Sequence, residues 1–248
     1  MSRAEESSVT KTELDNDLVP AERRLDRIVF IGRTYDEYMR LFDLSEGAIA
    51  GRNILDCPAG ACSFTAQAGK LGCHVTAADI AYYHDHEKLA AKGIQDIVHA
   101  MEHVETEKDR YHWTEFRDVE DLRAERTKAL QECTKDMRIH PDRYVPVTLP
   151  SLPFKAGQFD LTLSAHFMFT YADRLDAEFH ESTLRELFRV TREEVRIFPL
   201  VDQSGRRSEH VDHLIMFAHG ERWVAEIKAV PYLFQRNADQ VLIFRKGL

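Results

Sequence analysis

One stretch of the chain, residues 54–80, constrains the fold more than any other, and it reads ILDCPAGACSFTAQAGKLGCHVTAADI. Its apolar residues predict a buried strand over Asn53–Cys57 and a second strand over His74–Ala78. Between the strands, a helix is predicted to begin at Phe64 and to end before Gly72, a residue suited to a helix end. Two strands joined through a helix predict a parallel βαβ unit, and therefore an α/β fold with a doubly wound sheet.

The turn after the first strand suits a ligand because it has almost no side-chain bulk. Pro58, Ala59 and Gly60 form this turn, so a ligand can approach the backbone closely. Ser63 is predicted to cap the following helix, whose free N–H groups then face the turn. Asp79 ends the second strand, where a carboxylate can accept hydrogen bonds from both hydroxyls of a ribose. The unit therefore predicts a site for a nucleoside-like cofactor.

The acids around the turn distinguish between classes of cofactor. A nicotinamide or flavin site favours a G-x-G-x-x-G turn that binds a pyrophosphate, but this turn keeps only Gly60. Asp56 lies inside the preceding strand, where its carboxylate would repel a pyrophosphate and suit an ammonium group. Together with Asp79 and the strand FDLTLSAH at residues 159–166, this pattern resembles the class I S-adenosylmethionine-dependent methyltransferases over roughly residues 54–248. A βαβ unit without a ligand is the alternative.

The resemblance implies a fold, a cofactor and a set of site residues. The implied sheet is mostly parallel with an antiparallel last strand and has helices on both faces, and the implied cofactor is S-adenosylmethionine. Thr148 stands where many relatives have an acid that reads the adenine amino group, so a backbone contact from Thr148 or Leu149 is expected instead. His166 is the candidate catalytic base, and a histidine packed under the cofactor is the alternative. The implied cofactor-binding residues in the sheet and its loops are Asp56, Pro58, Ala59, Gly60, Ser63, Asp79, Ile80, Thr148, Leu149 and Ser164.

A helical segment precedes the first strand. Residues 18–50 have apolar side chains at helical spacing, in two pieces that break near Gly32, and resemble the helix that closes over the cofactor in many members of the family. In this N-terminal lid, Arg33 is expected to bind the cofactor carboxylate through its planar guanidinium group. Tyr38 is expected to hydrogen-bond the cofactor or to lie against its sulfonium group. The alternative places Tyr38 in the core and Arg33 on the surface.

The segment between the predicted second and third strands is longer than the minimal fold requires. Residues 81–143 predict a helical insertion, with helices over about Asp85–Met101 and Val119–Met137. An insertion after the second strand lies at the carboxyl edge of the sheet, so it is expected to form a lid over the substrate or a subunit interface. Residues 1–17 are polar and are expected to be a disordered tail, which makes residues 18–248 a single domain.

The composition limits the kinds of partner. With 44% hydrophobic and 30% charged residues, the 248-residue chain is typical of a soluble globular protein. Its net charge of −9 argues against a nucleic-acid partner, because phosphate binding favours a basic surface. No apolar run has the length of a membrane span, and the polar N-terminus lacks the apolar core of a signal peptide. A cytoplasmic location without a membrane partner is therefore expected.

Histidine and cysteine do not form a metal motif in the sequence. The four cysteines lack the paired spacing of metal ligands and are expected to be reduced thiols. His99 and His103 would share one face of a helix, but no HExxH pattern contains them. No metal site is predicted.

The sequence therefore predicts methyl transfer from S-adenosylmethionine to a small-molecule acceptor, and it leaves the oligomeric state open. Two other functions remain as alternatives. One is a protein that binds S-adenosylmethionine or S-adenosylhomocysteine without catalysis. The other is a nicotinamide-dependent oxidoreductase, which the turn disfavours.

Overall fold

The computed structural model describes Pro20 and residues 23–247. In this part of the chain, seven strands form a single sheet. The predicted tail over residues 1–17 lies outside the described residues. The strands are β1 (Asn53–Asp56), β2 (His74–Asp79), β3 (Tyr144–Pro146), β4 (Phe159–Ala165), β5 (Thr191–Phe198), β6 (Trp223–Ala229) and β7 (Gln240–Lys246). Across the sheet their order is β3-β2-β1-β4-β5-β7-β6.

The order of the strands reverses beside β1. β1 pairs in parallel with β2 and β4, β2 with β3, and β4 with β5, whereas β7 runs antiparallel to β5 and β6. The prediction of a mostly parallel sheet with an antiparallel last strand is confirmed. The chain adds β2 and β3 on one side of β1 and then crosses to the other side for β4. In such sheets, ligands bind at the carboxyl ends of the strands where the order reverses, which here is between β1 and β4.

Helices cover both faces of the sheet. They are α1 (Tyr35–Leu41), α2 (Glu46–Ile49), α3 (Phe64–Lys70), α4 (His86–Thr106), α5 (Val119–Ile139), α6 (Ala177–Val190) and α7 (His210–Gly220), and short 3₁₀ turns occupy Leu25–Arg27, Ile80–Tyr83, Lys108–Arg110 and Pro141–Arg143. Side chains alternate between the two faces along β1. Ile54 packs in a core with the lid and the insertion, and Leu55 packs in a second core with α6 and α7. Within the described residues, no helix is both long and apolar enough to cross a membrane.

The insertion after β2 consists mainly of two helices of 21 residues each, α4 and α5, which pack against each other. This confirms the predicted helical insertion. Aspartate side chains cap both helices, because Asp85 accepts a hydrogen bond from the N–H of Glu87 and Asp118 accepts one from the N–H of Asp121. α5 also contacts α3, so the insertion covers the face of the sheet that carries Ile54.

The N-terminal lid crosses the turn after β1 at very close range. The N–H of Ala61 donates to the Ile31 carbonyl at 3.4 Å, and the N–H of Ser63 donates to the Arg33 carbonyl at 3.0 Å. Between these two bonds, a Cβ added to Gly32 would lie 2.1 Å from the carbonyl carbon of Ala61. The approach of the two backbones therefore requires glycine at position 32.

We expect Gly32→Ala to destabilise the protein, because the added methyl group has to displace the backbone of the turn. Overpacking of a well-packed site costs about 1–3 kcal/mol, so the urea midpoint of unfolding should fall. Gly47→Ala is the matched control, since nothing lies within 4 Å of a Cβ added at the exposed Gly47. This control should leave stability unchanged or raise it by about 1 kcal/mol. Equal stability of the two variants would contradict the described packing of the lid.

Candidate cofactor site

Three strand ends and the lid meet where the strand order reverses. β1 ends at Asp56, β2 ends at Asp79, and His166 follows β4 directly. The backbone of Gly60 is hydrogen-bonded to Asp79, and the backbone of Arg33 is hydrogen-bonded to the same turn. We call these five residues the switch-point site. The structure thus brings together five of the residues that the sequence predicted.

Asp56 lies fully buried in the site with one carboxylate oxygen unused. Its Oδ1 accepts a hydrogen bond from the hydroxyl of Tyr38 at 3.1 Å, whereas Oδ2 has no hydrogen-bond partner among the described residues. Burial raises the pKa of Asp56 well above its usual value. The Tyr38 hydrogen bond opposes this shift, and the charge of Asp79 adds to it. Asp56 therefore has a free acceptor position in surroundings that disfavour an unpaired negative charge.

Tyr38 is part of the core and reaches the site only through its hydroxyl. The ring is fully buried and stacks on Phe64, with ring centroids 5.2 Å apart, and it meets the edge of Phe42. The ring of Tyr38 therefore lies in the core, as the alternative expected. Its hydroxyl donates to Asp56, which is itself a predicted cofactor-binding residue.

Asp79 holds the turn in place. Its Oδ2 accepts from the N–H of Gly60 at 2.8 Å, and its Oδ1 accepts from the N–H of Ala81 at 2.8 Å. The hydroxyl of Tyr82 donates to the Gly60 carbonyl at 2.8 Å, and Gly60 has a φ of 55°, which favours glycine. Burial raises the pKa of Asp79, while the bonds from Ala81 and Gly60 lower it. Each carboxylate oxygen can still accept a second hydrogen bond, as contacts to a ribose would require.

Ser63 has a different role from the predicted one. Its side chain makes no capping hydrogen bond at the start of α3, so that prediction is wrong. Instead, its Oγ accepts from the N–H of Tyr35 at 3.1 Å. The physical reason is the close packing at Gly32, which brings the lid backbone within reach of Ser63. The residue fastens the lid to the turn.

Arg33 carries a charge without an ion-pair partner. Within the described residues, its guanidinium group makes no hydrogen bond or salt bridge, and its Nε is buried. Its positive charge nevertheless reaches other groups at the carboxyl edge, because it lowers the pKa of Tyr171 and His166. Burial has the larger effect on both pKa values. It raises the pKa of Tyr171, against the effect of Arg33, and it lowers the pKa of His166, in the same direction as Arg33.

His166 lies at the end of β4 in an uncommon backbone conformation. Its φ is 51°, and its N–H donates to the carbonyl of Phe198 at 2.7 Å. The ring meets the edge of the Phe198 ring, and its buried Nε2 has no partner among the described residues. Burial, followed by the charges of Arg33 and Arg126, lowers the pKa of His166 well below its usual value. The imidazole is therefore neutral at physiological pH, and the same burial and positive charges oppose its protonation.

Ile80, a predicted cofactor-binding residue, and the predicted adenine-side residues Thr148 and Leu149 follow the ends of β2 and β3. Ile80 begins the 3₁₀ turn after β2, and the N–H of Val147 donates to the Asp79 carbonyl at 3.2 Å, which sets the following residues beside the site. The hydroxyl of Thr148 accepts from Arg23 at 3.3 Å, and Leu149 packs against the second core.

Ser164 is not brought to the site with the others. It alternates along β4 with Leu163 and Ala165, which belong to the core on the Asp56 face of the sheet. Ser164 therefore points to the opposite face. It is buried there, with no hydrogen-bond partner for its Oγ among the described residues.

A buried ion pair beside the site was not predicted from the sequence. Arg126 of α5 donates from Nη1 to Oε2 of Glu37 at 2.7 Å and from Nη2 to Oε1 at 2.9 Å. The hydroxyl of Tyr232 donates to Oε1 at 2.7 Å, and the N–H of Thr34 donates to Oε2 at 2.9 Å. One signal was available, because Thr34 and Glu37 have the spacing of a capping box, which the structure contains.

The insertion covers the carboxyl edge of the sheet. The Sγ of Cys133 in α5 lies 3.9 Å from the Gly60 carbonyl oxygen. At the far end of the insertion, Phe234 stacks on Tyr111, with centroids 4.7 Å apart, and meets the edges of Trp113 and Phe116. These contacts pack the far end of the insertion against the segment before β7.

Among the described residues, no group of three or more histidine, cysteine, aspartate or glutamate side chains has the arrangement of a metal site. His99 and His103 are both exposed on α4, and His103 lies 3.2 Å from Glu107.

We expect Glu37→Gln to make stability less dependent on acidic pH. Burial would raise the pKa of Glu37, but the charge and hydrogen bonds of Arg126 outweigh burial and hold the pKa at about 2 instead of 4.5. The ionised carboxylate therefore stabilises the fold above about pH 4.5, and this contribution is lost as the pH falls towards 2. The variant should lose about 3–5 kcal/mol at neutral pH, because Arg126 is left unpaired.

Urea unfolding at several pH values between neutral and strongly acidic checks this prediction. Glu46→Gln, at an exposed position in α2, is the matched control and should keep the wild-type dependence. A Glu37→Gln variant with that same dependence would show that the ion pair is not formed.

The chain is similar in sequence to one known protein. No protein-family model matches the chain. The chain is 31% identical over 219 residues to the uncharacterized protein MJ0045 of Methanocaldococcus jannaschii, and the match covers 88% of this chain and 96% of that protein.

Two solved structures are similar to the chain. Magnesium protoporphyrin IX methyltransferase from Synechocystis PCC 6803 with bound S-adenosylhomocysteine has a TM-score of 0.51 at 10% identity, over 98% of this chain and 90% of that chain. A SAM-dependent methyltransferase from Aquifex aeolicus has a TM-score of 0.45 at 13% identity, over 96% and 98% of the two chains. The similarity to the structure from Synechocystis PCC 6803 is a similarity of fold. The chain belongs to the same family as MJ0045, and it shares the fold of the magnesium protoporphyrin IX methyltransferase from Synechocystis PCC 6803.

Proposed function

We propose that the protein transfers a methyl group from S-adenosylmethionine to a small-molecule acceptor. One observation carries this proposal. Buried polar atoms are nearly always hydrogen-bonded in folded proteins, yet Oδ2 of Asp56, Nε of Arg33 and Nε2 of His166 have no partner among the described residues. All three belong to the switch-point site. A ligand that carries an ammonium group and a carboxylate would supply partners of both signs.

Each polar group of the site suits one part of this cofactor. The carboxylate of Asp79, already held against Gly60, is suited to the ribose hydroxyls. The free oxygen of Asp56 is suited to the ammonium group, and the unpaired guanidinium of Arg33 is suited to the carboxylate. The backbone at Ile80, Thr148 and Leu149 is then left for the adenine. This chain has no acid at position 148 for that purpose.

The cofactor supplies a methyl group on a positively charged sulfur. What the protein has to provide is alignment of the acceptor and exclusion of water. The lid and α5 cover the carboxyl edge and can exclude water there. We assign to His166 the uptake of the proton of an acceptor that has to lose one, because its buried Nε2 has no hydrogen-bond partner among the described residues.

A small molecule is the acceptor that this arrangement favours. The net charge of −9 disfavours nucleic acid, because phosphate binding favours a basic surface. The similar structure from Synechocystis PCC 6803 is also named for a small-molecule substrate, magnesium protoporphyrin IX.

Calorimetric titration with S-adenosylmethionine, S-adenosylhomocysteine and NAD tests the cofactor. Binding of the first two without NAD supports the proposal, and binding of NAD alone overturns it. Incubation with cofactor labelled in the methyl group and a cell extract then tests catalysis. Transfer of the label to a small molecule supports an enzyme, whereas binding without any transfer would leave a cofactor-binding protein.

We expect Asp79→Ala to weaken binding of S-adenosylmethionine by about tenfold or more. Two charge-assisted hydrogen bonds to the ribose are lost together, and each contributes about 1.5–3 kcal/mol. Calorimetry measures the affinity, and circular dichroism verifies the fold. Asp142→Ala, at an exposed position outside the site, should bind as wild type does. Unchanged affinity in Asp79→Ala would remove this residue from the site.

We expect Arg33→Ala to weaken binding of S-adenosylmethionine but not of 5′-methylthioadenosine, which lacks the amino-acid carboxylate. The reason is that the guanidinium of Arg33 has no acceptor among the described residues and is free to bind that carboxylate. Affinities of both ligands are measured on the variant and the wild type. If the two affinities fall equally, Arg33 does not contact the carboxylate.

A further inference from the structure

We propose that Arg126 of the insertion is a positioning residue for the cofactor site, because it occupies Glu37 and thereby leaves Arg33 free to bind a carboxylate. The inference rests on the proposed function. It gives the helical insertion a task in cofactor recognition in addition to covering the edge of the sheet.

The first step is the saturation of Glu37. Its carboxylate accepts both Nη groups of Arg126, the hydroxyl of Tyr232, and the N–H and hydroxyl of Thr34 at 3.1 Å or less. All four residues are buried, with 2% exposure or less. Two carboxylate oxygens offer about four lone-pair positions, so no position on Glu37 remains for a further donor.

The second step is the nearness of Arg33 to Glu37. The charge of Arg33 lowers the pKa of Glu37, and only Thr34, Tyr35 and Asp36 separate the two residues in sequence. An arginine within reach of a buried carboxylate normally pairs with it. Here Arg33 makes no such pair in the described part of the chain, and the acceptor positions of Glu37 are taken by Arg126, Tyr232 and Thr34.

The third step is the fixed position of the Arg33 backbone. Its carbonyl accepts from the N–H of Ser63 at 3.0 Å, and its N–H donates to the Sγ of Cys62 at 3.2 Å. The backbone is held on the turn, so Glu37 and the switch-point site are the two acidic or ligand-binding groups that we consider for the half-buried Arg33 side chain. Arg126 favours the second by removing the first.

A single and a double substitution are expected to affect binding of S-adenosylmethionine differently. In Arg126→Gln, Glu37 loses its main partner and captures Arg33, so the dissociation constant for S-adenosylmethionine should rise about tenfold. Binding of 5′-methylthioadenosine should change by less than about twofold, because this ligand has no carboxylate to lose. In the double variant Glu37→Gln with Arg126→Gln, no carboxylate remains to capture Arg33. Binding of S-adenosylmethionine should then return to within about threefold of wild type.

A residue that only stabilises the fold would behave differently. It would weaken both ligands together, and the double variant would be no better than the single one; either result overturns the inference. Arg123→Gln is the matched control, because Arg123 lies one turn earlier on α5 and pairs with the exposed Glu120. This variant should keep the wild-type ratio of the two affinities.

A milder substitution covers the case in which Arg126→Gln does not fold. Tyr232→Phe removes one donor from Glu37 and keeps the ring, so it should shift the ratio of the two affinities in the same direction by about threefold. A wild-type ratio in this variant would overturn the inference on its own. If the wild-type protein binds neither ligand, the proposed function fails first. If it binds S-adenosylmethionine and every variant keeps its ratio, only the role of Arg126 fails.

Discussion

The arrangement of the carboxyl edge depends on one buried ion pair, Glu37 with Arg126. Their side chains are 2% and 3% exposed, and removal of two charges from water is costly unless every hydrogen-bonding position is satisfied. Thr34 and Tyr232 complete the set. Because the partners come from the lid, the insertion and the segment before β7, these three parts of the chain have a single arrangement that satisfies the pair.

The βαβ unit could be predicted from the sequence because its signals are local. Apolar runs mark β1 and β2, and the acids that end them, Asp56 and Asp79, lie at the strand ends that the structure shows. Gly60 was singled out because it has no side chain, and the structure adds two features that were not predicted, a positive φ and a hydrogen bond from its N–H to Asp79. The helices of the insertion were predicted for the same reason and extend a few residues further than expected.

The features that the sequence did not predict depend on contacts between residues that are far apart in the chain. Ser63 has the residue type of a helix cap, but packing of the lid gives its hydroxyl another donor. The strand containing Ser164 was predicted, yet the face to which each side chain points depends on which residues of β4 meet the two cores. Arg126 stands on the apolar stripe of α5, so burial could be suspected. Its partner, Glu37, is 89 residues away, and no local pattern joins them.

Burial acts on the charges of the switch-point site in two ways. It raises the pKa of Asp56 and Asp79 and lowers that of His166, so each group is pushed towards its neutral form. A cation beside Asp56 would reverse the shift there, because an opposite charge favours the ionised carboxylate. Nothing comparable acts on His166, since the charges that reach it, from Arg33 and Arg126, are both positive. A zwitterionic ligand can therefore be held by charged groups while the neighbouring imidazole stays neutral.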